Sequence, residues 1–289
     1  MLEPEVLDGV LRHVPRMNLE FDGDCAQANG LDLPVIVINL PHRTDRWRAV
    51  SRRLSAVGLT KLIKAPAVDG TRLPDDQIAA LLGKSAKIID ADPSSHLTLT
   101  RPAIGCFLSH IAIWRWMLET NLPRVLIFED DAAPAAGYDP ARLRSVVTSL
   151  SEETDLVFLG CMIMGGLADR PEHSKLARLY YFNGTFAYLI TLPACKVLLQ
   201  RLLPLRSHID HQISSILIDQ RHILAAYYAA PPLFEPDWSL RSDCYVPLVD
   251  DSIADGELGQ IIETHRQALL NERRPLLPLT ACAPEAELV

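Results

Sequence analysis

The sequence predicts an α/β fold, and three stretches carry that expectation. Val125-Leu126-Ile127-Phe128 is four apolar residues in a row behind Pro123-Arg124, the pattern of a strand buried on both faces, as in a parallel sheet. Pro34-Val35-Ile36-Val37-Ile38-Asn39-Leu40 is a β-branched run typical of a central strand. Behind it, Trp47, Val50, Leu54 and Val57 have the spacing of a helix with one apolar stripe. Asp155-Leu156-Val157-Phe158-Leu159-Gly160 supplies a further buried strand after another helical stretch.

Composition narrows the function. A chain of 289 residues has room for one large or two small domains with a sizeable core. Hydrophobic residues make up 48% and charged ones 22%, which excludes wholesale disorder. The net charge of −8 speaks against a nucleic-acid binder, which needs clustered Lys and Arg. No run reaches the apolar length of a transmembrane helix, and Met1-Leu2-Glu3-Pro4-Glu5 is unlike a secretion signal. Six cysteines (Cys25, Cys106, Cys161, Cys195, Cys244, Cys282) stand singly, without a CxxC pair. The expectation is reduced thiols in a cytoplasmic protein, with neither a zinc ribbon nor a disulfide frame. Asn183-Gly184-Thr185 matches a glycosylation acceptor, which counts for little without an export signal.

In chain order, residues 1–33 read as an N-terminal extension. Val6, Val10, Leu11 and Val14 have helical spacing closed by Pro15, and Asp22-Gly23-Asp24 and Asn29-Gly30 are turns. The main domain is expected over 34–250. After the first strand, Thr44 is a plausible N-cap and Gly58 ends the helix. A short strand over 61–67 gives way to the turn Val68-Asp69-Gly70, and residues 71–99 are irregular, as acceptor-side loops and lids are. Thr100 caps a strong helix that tolerates Pro102 in its first turn, and Ile104, Phe107, Leu108, Ile111, Trp114 and Leu118 form its core stripe. Helical character returns over 142–150, and a flexible connection is expected at 165–173. Tyr180-Tyr181-Phe182 leads into a tight turn, Asn183-Gly184-Thr185, and a strand over 186–190. These aromatics suit a platform for a sugar ring, and core packing explains them equally well. A helix over 193–203, a second through Ile213, Ile216 and Leu217, and a strand over 225–229 follow. The loop 235–242 carries Trp238, Ser239 and Arg241, and residues 251–289 are expected to be a helix near 258–270 and a mobile tail.

Candidate chemistry concentrates where the strand at 125–128 ends. Glu129-Asp130-Asp131 places three like charges together, which resist desolvation unless water or a cation neutralises them. Ligands collect outside the carboxyl ends of strands in open α/β sheets, and oxygen ligands suit Mg²⁺ or Mn²⁺. A metal-diphosphate site and a solvated acidic turn both fit. Arg43 and Arg46 open the first helix, where cations oppose the macrodipole. A phosphate site would accept that cost, whereas pairing with Asp45 or surface acids needs no ligand. Gly105 and Ser109 lie one helical turn apart with His110 adjacent, and Gly105 invites close approach of a backbone or a ligand. Asp210, in His208-Ile209-Asp210-His211, suits either an N-cap or a general base at a helix mouth. His208 and His211 alone are weak evidence for a metal site.

The order of these motifs resembles glycosyltransferase family 25, which includes lipooligosaccharide and collagen galactosyltransferases. Val37-Ile38-Asn39-Leu40 with Arg43, Asp45 and Arg46 is similar to the family's opening signature. Ala67-Val68-Asp69-Gly70, Gly105-Cys106-Phe107-Leu108-Ser109-His110, Phe128-Glu129-Asp130-Asp131 and Gly184-Thr185-Phe186-Ala187-Tyr188 follow in the family's order, spanning residues 34 to about 245. The resemblance implies a Rossmann-like, GT-A type nucleotide-diphospho-sugar transferase fold with a mixed, mostly parallel central sheet. It implies inverting transfer of a hexose, commonly galactose, from a UDP-sugar, assisted by Mn²⁺ or Mg²⁺. Glu129 and Asp131 would hold the metal. Asn39, Arg43, Arg46, Asp69, Gly105, Ser109, His110, Asp130, Gly184 and Thr185 would serve the nucleotide sugar, and Asp210 would be the base. The expected acceptor is a cell-envelope glycan such as lipooligosaccharide, lipid-linked in one version, which would bring a cytoplasmic chain to the inner membrane as a peripheral protein. A protein or peptide hydroxyl, hydrolysis of the donor, and a silent scaffold that only binds sugar nucleotide are the alternatives.

Overall fold

The computed structural model describes residues 11–20, 29–82, 99–148, 150–151, 153–162, 175–220 and 222–240. The chain divides into units Met1–Pro247 and Leu248–Val289, and every described residue falls in the first. The expected helix at 258–270, the tail, the connection at 165–173, Arg241 and the turn at Asp22-Gly23-Asp24 lie outside the described residues.

In chain order the elements are β1 (Val35–Asn39), α1 (Thr44–Ala56), β2 (Ile63–Pro66), α2 (Asp75–Leu81), α3 (Arg101–Thr120), β3 (Arg124–Glu129), β4 (Ala132–Pro134) and α4 (Pro140–Thr148). Then come β5 (Leu156–Met162), β6 (Leu176–Arg178), β7 (Asn183–Thr191), α5 (Leu192–Arg201), α6 (Ile209–Asp219), β8 (Ala226–Ala229) and β9 (Phe234–Pro236). Seven strands form one sheet in the order β2-β1-β3-β7-β5-β8-β6. β1 pairs parallel with β2 and β3, and β5 pairs parallel with β8. β7 runs antiparallel between β3 and β5, and β6 antiparallel to β8. The sheet is therefore mixed, with five strands running one way and two against them.

Strand alternation explains the unbroken apolar runs. On β3, Val125 and Ile127 join the core that contains Ile104, Phe107 and Ile111 of α3, while Leu126 and Phe128 join the core beneath Val50 and Leu54 of α1. Ile36 and Ile38 of β1 face the first core, and Val35 and Val37 the second. With helices on both faces, Val35 to Ile38 and Val125 to Phe128 are all buried and none of these positions needs to be polar. The described part of the N-terminal extension belongs to the same body. Val14, Met17 and Leu19 sit in the α3 core, and Arg115 of α3 donates to the carbonyls of Leu11 and Val14 at 2.7 and 3.2 Å. Among the described residues no helix is long and apolar enough to cross a membrane.

Several local expectations shift. Thr44 is the first helical residue, and Arg43 stands at the cap without a side-chain cap bond. Thr100 does cap α3, its hydroxyl accepting from the Ala103 amide at 3.2 Å. Residues 75–81, read as irregular, form α2, whose Ile78 and Leu81 are buried. Asn183-Gly184-Thr185 is the start of β7 and not a turn before it. Gly184 takes φ +83° there, and the β5–β7 register slips between Gly160 and Met162. The turn signal in Asn-Gly was real as backbone geometry; pairing with β5 absorbed it as an irregularity inside a strand. Asp210 is not the N-cap of α6. His208 takes that position, and Asp210 lies in the first turn.

Candidate functional site

The order β2-β1-β3 builds the site. β1 leads through α1 to β2 on one side, and the chain returns through α3 to β3 on the other, so the direction of winding reverses at the β1–β3 pair. Such a switch point opens a crevice for ligands. Here a cleft of about 270 Å³ is lined by Asn39, Arg46, Asp69, His110, Glu129 and Asp131, among others. Asn39 ends β1 one position beyond the Ile38–Glu129 pair.

Alternation then sends the three carboxylates in different directions. Glu129 continues the face of Val125 and Ile127, towards α3. There its Oε1 accepts from the Thr185 hydroxyl at 2.6 Å and lies 3.3 Å from His110 Nε2. Asp130 turns to the α1 side. Its Oδ2 accepts from Asn39 Nδ2 at 2.7 Å, and its Oδ1 lies 3.1 Å from Arg46 Nε. Arg46 is 4% exposed and also lies 3.7 Å from Asp131 Oδ2. It occupies the same buried stripe of α1 as Val50 and Leu54. The charge that opposes the helix dipole is thus matched by two carboxylates of this chain.

The electrostatics are uneven. Burial pushes the Glu129 carboxyl up, but hydrogen bonds from His110 and Thr185 and the charge of Arg46 outweigh it, and the group is held below its ordinary range. At Asp131 burial, and then the Glu129 charge, push the carboxyl from 3.8 up to about 7. The Arg46 charge and a backbone hydrogen bond lower it too, but they do not offset what raises it. Two buried acceptors at the cleft, Asp131 Oδ1 and Asn39 Oδ1, have no hydrogen-bond partner among the described residues. Buried acceptors without donors are rare. Orphaned oxygens beside surplus negative charge are the donor set that a hard divalent cation takes. The residues present therefore fit a cation such as Mn²⁺ or Mg²⁺. A second grouping exists: ligand atoms of Cys106, His110 and Glu129 lie within 4.8 Å of one another.

The remaining sequence candidates divide. Asp69 lines the cleft and caps the 3-10 turn Gly70–Arg72, accepting from the Thr71 amide at 3.1 Å. Gly105 serves a backbone approach: a Cβ there would stand 2.4 Å from the Val68 carbonyl oxygen and 2.5 Å from the Gly70 amide nitrogen. Ser109 fastens the same loop, accepting from the Val68 amide at 2.8 Å and donating to the Gly105 carbonyl at 2.7 Å. Arg43 is not among the residues lining the cleft; it forms a bidentate pair with Asp45 at 3.1 and 3.0 Å. That pairing draws the exposed Asp45 carboxyl down to about 2. Asp210 lies behind Thr185: its Oδ2 accepts from the Gly184 amide at 2.8 Å and its Oδ1 from the His211 amide at 2.9 Å. Gly184, Thr185 and Asp210 are near Glu129 but do not line the cleft.

Other residues of the site were not singled out by the sequence. Arg53 donates to the carbonyls of Asp130 (3.0 Å) and Ala132 (3.1 Å) and pairs with Asp237. The Asp237 amide in turn donates to the Asp131 carbonyl at 2.7 Å. β4 and β9 pair as a small second sheet beside this brace. Arg53 lies seven residues after Arg46, two turns along the same helix, and that spacing was the one available hint. Trp114, read as part of its helix's core stripe, and Tyr188, read only as part of a strand and of the last family motif, contact His110.

Similarity to known proteins points to one family. Residues 32–136 match the model of glycosyltransferase family 25 (LPS biosynthesis protein). A glycosyltransferase 25 family member from Aedes aegypti is 30% identical over 241 residues, covering 75% of this chain and 38% of that protein. Procollagen galactosyltransferase 1-A from Xenopus laevis is 35% identical over 176 residues, covering 57% and 28%. Inactive glycosyltransferase 25 family member 3 from Homo sapiens is 29% identical over 246 residues, covering 75% and 40%. The chain spans about two fifths or less of the length of these relatives. A solved mannose-1-phosphate geranyltransferase from Thermus thermophilus covers 68% of the chain at 12% identity and a TM-score of 0.32, too distant to argue from.

Proposed function

Residues 32–136 and the relatives they share place the chain in glycosyltransferase family 25, and on that premise we propose that it transfers a hexose from a nucleotide-diphospho-sugar to a hydroxyl with the help of Mn²⁺ or Mg²⁺. The single observation that carries this reading is the acid cluster at the end of β3. Asp131 is held up to about 7 beside an orphaned oxygen of its own and one of Asn39, a donor set of the kind a hard divalent cation takes. When bound, that cation would offset the charge on the departing diphosphate, the step on which such transfer depends.

The chain's own residues supply the rest. Glu129 and Asp131 hold the cation, Arg46 and Asn39 set the orientation of Asp130, and Asp69 forms the opposite wall of the cleft. Asp210, fixed to the Gly184 amide at the start of β7, is the proposed base on the acceptor side, the group that a single, inverting displacement requires. The donor is a UDP-sugar, with galactose the hexose, a choice supported by the name of the Xenopus relative. The acceptor is a glycan of the cell envelope, supported by the description of the matched family. The collagen acceptor in that relative's name makes a protein hydroxyl the other candidate.

A silent, binding-only homologue is the second reading, favoured by the human and Bos taurus relatives named inactive or probably inactive. Thermal melts with UDP-, GDP- and CDP-sugars, with Mn²⁺ and with EDTA, test both. A donor raises the melting point in proportion to ligand over affinity, and the expected pattern is a rise with a UDP-sugar that EDTA reverses. A rise without turnover of UDP-galactose in the presence of glycan and peptide acceptors supports the silent reading. No response to any donor, with or without Mn²⁺, refutes both.

A further inference from the structure

His110 is fully buried, and each of its ring nitrogens has defined neighbours. Nδ1 lies 2.8 Å from the Tyr188 hydroxyl, and Nε2 lies 3.3 Å from both Glu129 Oε1 and the Thr185 hydroxyl. The Tyr188 hydroxyl also receives the Trp114 indole N–H at 3.1 Å. We propose that Trp114 and Tyr188 hold His110 as the Nε2–H tautomer, and that His110 is a positioning residue which, with Thr185, occupies Glu129 Oε1 and leaves Oε2 for the cation.

The inference follows from counting donors and acceptors. An indole N–H can only donate, and a phenol has a single hydrogen to give. Among the described residues the Tyr188 hydroxyl has two partners, Trp114 Nε1 and His110 Nδ1. Because Trp114 takes no hydrogen, the phenolic proton has one acceptor, His110 Nδ1, which must then be bare. Were Nδ1 to carry the proton, the hydroxyl would receive two donors and its own hydrogen would point at nothing, in a side chain 1% exposed. With Nδ1 bare, Nε2 carries the hydrogen and directs it between Glu129 Oε1 and the Thr185 oxygen, while Thr185 donates its own proton to the same Oε1 at 2.6 Å. One assignment satisfies every polar hydrogen in the chain from Trp114 to Glu129. It leaves Oε2 as the Glu129 oxygen with no hydrogen-bond partner among the described residues.

This assignment also decides between the two metal groupings. In the cluster of Cys106, His110 and Glu129, ligation through Nε2 needs that nitrogen bare, the reverse of what Tyr188 enforces. His110 therefore stands behind Glu129 as a hydrogen-bond donor and is not itself a ligand. Groups that orient a ligating side chain in this way are worth about 10–100-fold in metal affinity. Only this last step rests on Glu129 holding the cation as set out above.

Two measurements test it. In metal-free protein labelled with ¹⁵N-histidine, with His110 assigned by its disappearance in His110→Gln, the expected spectrum has an imine-type shift at Nδ1 and a pyrrole-type shift at Nε2. A proton on Nδ1, or on both nitrogens, overturns the proposal. Titrating Mn²⁺ and Zn²⁺ into the wild type, His110→Gln and His110→Leu separates positioning from ligation. Glutamine keeps an N–H near Nε2 and is expected to hold Mn²⁺ within a few-fold of wild type, while leucine weakens it about 10–100-fold. Equal loss in both variants, or a Zn²⁺ titration that moves Nε2 to a ligated shift, refutes positioning. If leucine prevents folding, the wild-type spectrum and the glutamine variant still decide. Wild-type protein that shows the expected tautomer but no response to Mn²⁺ would refute the metal reading and leave the hydrogen-bond relay standing.

Discussion

Gly105→Ala sets two physical terms against each other. In a helix interior alanine is preferred to glycine by about 1 kcal/mol, so propensity alone predicts a more stable protein. The tertiary contact predicts the opposite. The new Cβ would stand 2.4 Å from the Val68 oxygen, 2.5 Å from the Gly70 nitrogen and 2.9 Å from the Gly70 Cα, where real Cβ contacts essentially never fall below 3.0 Å. All three obstacles are backbone, so relief requires the 68–70 loop to leave α3. A Cβ on Gly70 would meet the Arg101 carbonyl oxygen at 1.7 Å, which shows how closely the two segments interlock. Overpacking of this kind costs about 1–3 kcal/mol, and loss of the Val68 N–H bond to Ser109 adds about 1 kcal/mol. Against the propensity gain, the net is a destabilisation of about 1–3 kcal/mol. At about 2–4 °C per kcal/mol for a domain of this size, the melting point should fall by roughly 2–12 °C. Donor binding should weaken as well, because Asp69 moves with the loop. Urea and thermal unfolding of the two proteins are the assay, and an alanine variant as stable as wild type, or more stable, would refute the interlock.

Asp131→Asn is expected to keep the fold and abolish transfer together with the Mn²⁺-induced rise in melting point. It also has a pH signature. The Asp131 carboxyl loses its proton near 3.8 when unfolded and near 7 when folded, so metal-free wild type loses stability as pH rises across that window, having the full contribution below it. The asparagine variant should lack that slope and be at least as stable above about pH 7 in EDTA; an unchanged slope would show that Asp131 is not the titrating group. Arg53→Met removes the donors to Asp130 and Ala132 and the partner of Asp237, a loss of about 1.5–3 kcal/mol for charged hydrogen bonds readable as a lower urea midpoint. An unchanged midpoint would mean that another contact holds the 237 loop. Asp210→Asn replaces a carboxylate that accepts from two amides with a group having one acceptor oxygen, so stability should fall by about 1 kcal/mol. Donor binding should persist while transfer drops about 10²–10⁴-fold; full turnover would place the base elsewhere.

How much was legible follows from how far each signal reaches along the chain. Val35 to Ile38 and Val125 to Phe128 announced strands because burial on both faces leaves a local, unbroken apolar run. Thr100 announced its helix because a cap and its amide are three residues apart. Asn183-Gly184-Thr185 misled: its backbone does turn at Gly184, but the pairing of β7 with β5, much earlier in the chain, decides that the turn lies inside a strand. The N-cap reading of Asp210 failed for the same reason, since the amide of Gly184 claims its carboxylate from 26 residues away.

The sequence by itself determined the α/β class, the central strands and the place of the three carboxylates at a strand end, because periodicity and strand termini are properties of neighbours in the chain. It also determined that Arg43 and Arg46 stand at a helix entrance. Only the tertiary structure decided that Arg46 turns inward to Asp130 and Asp131 while Arg43 pairs outward with Asp45. Only the tertiary structure brought Thr185, His110, Tyr188 and Trp114 into one line behind Glu129. Those contacts join strands and helices 19 to 78 residues apart, and which donor meets which acceptor is fixed by sheet order and register, which no local pattern encodes.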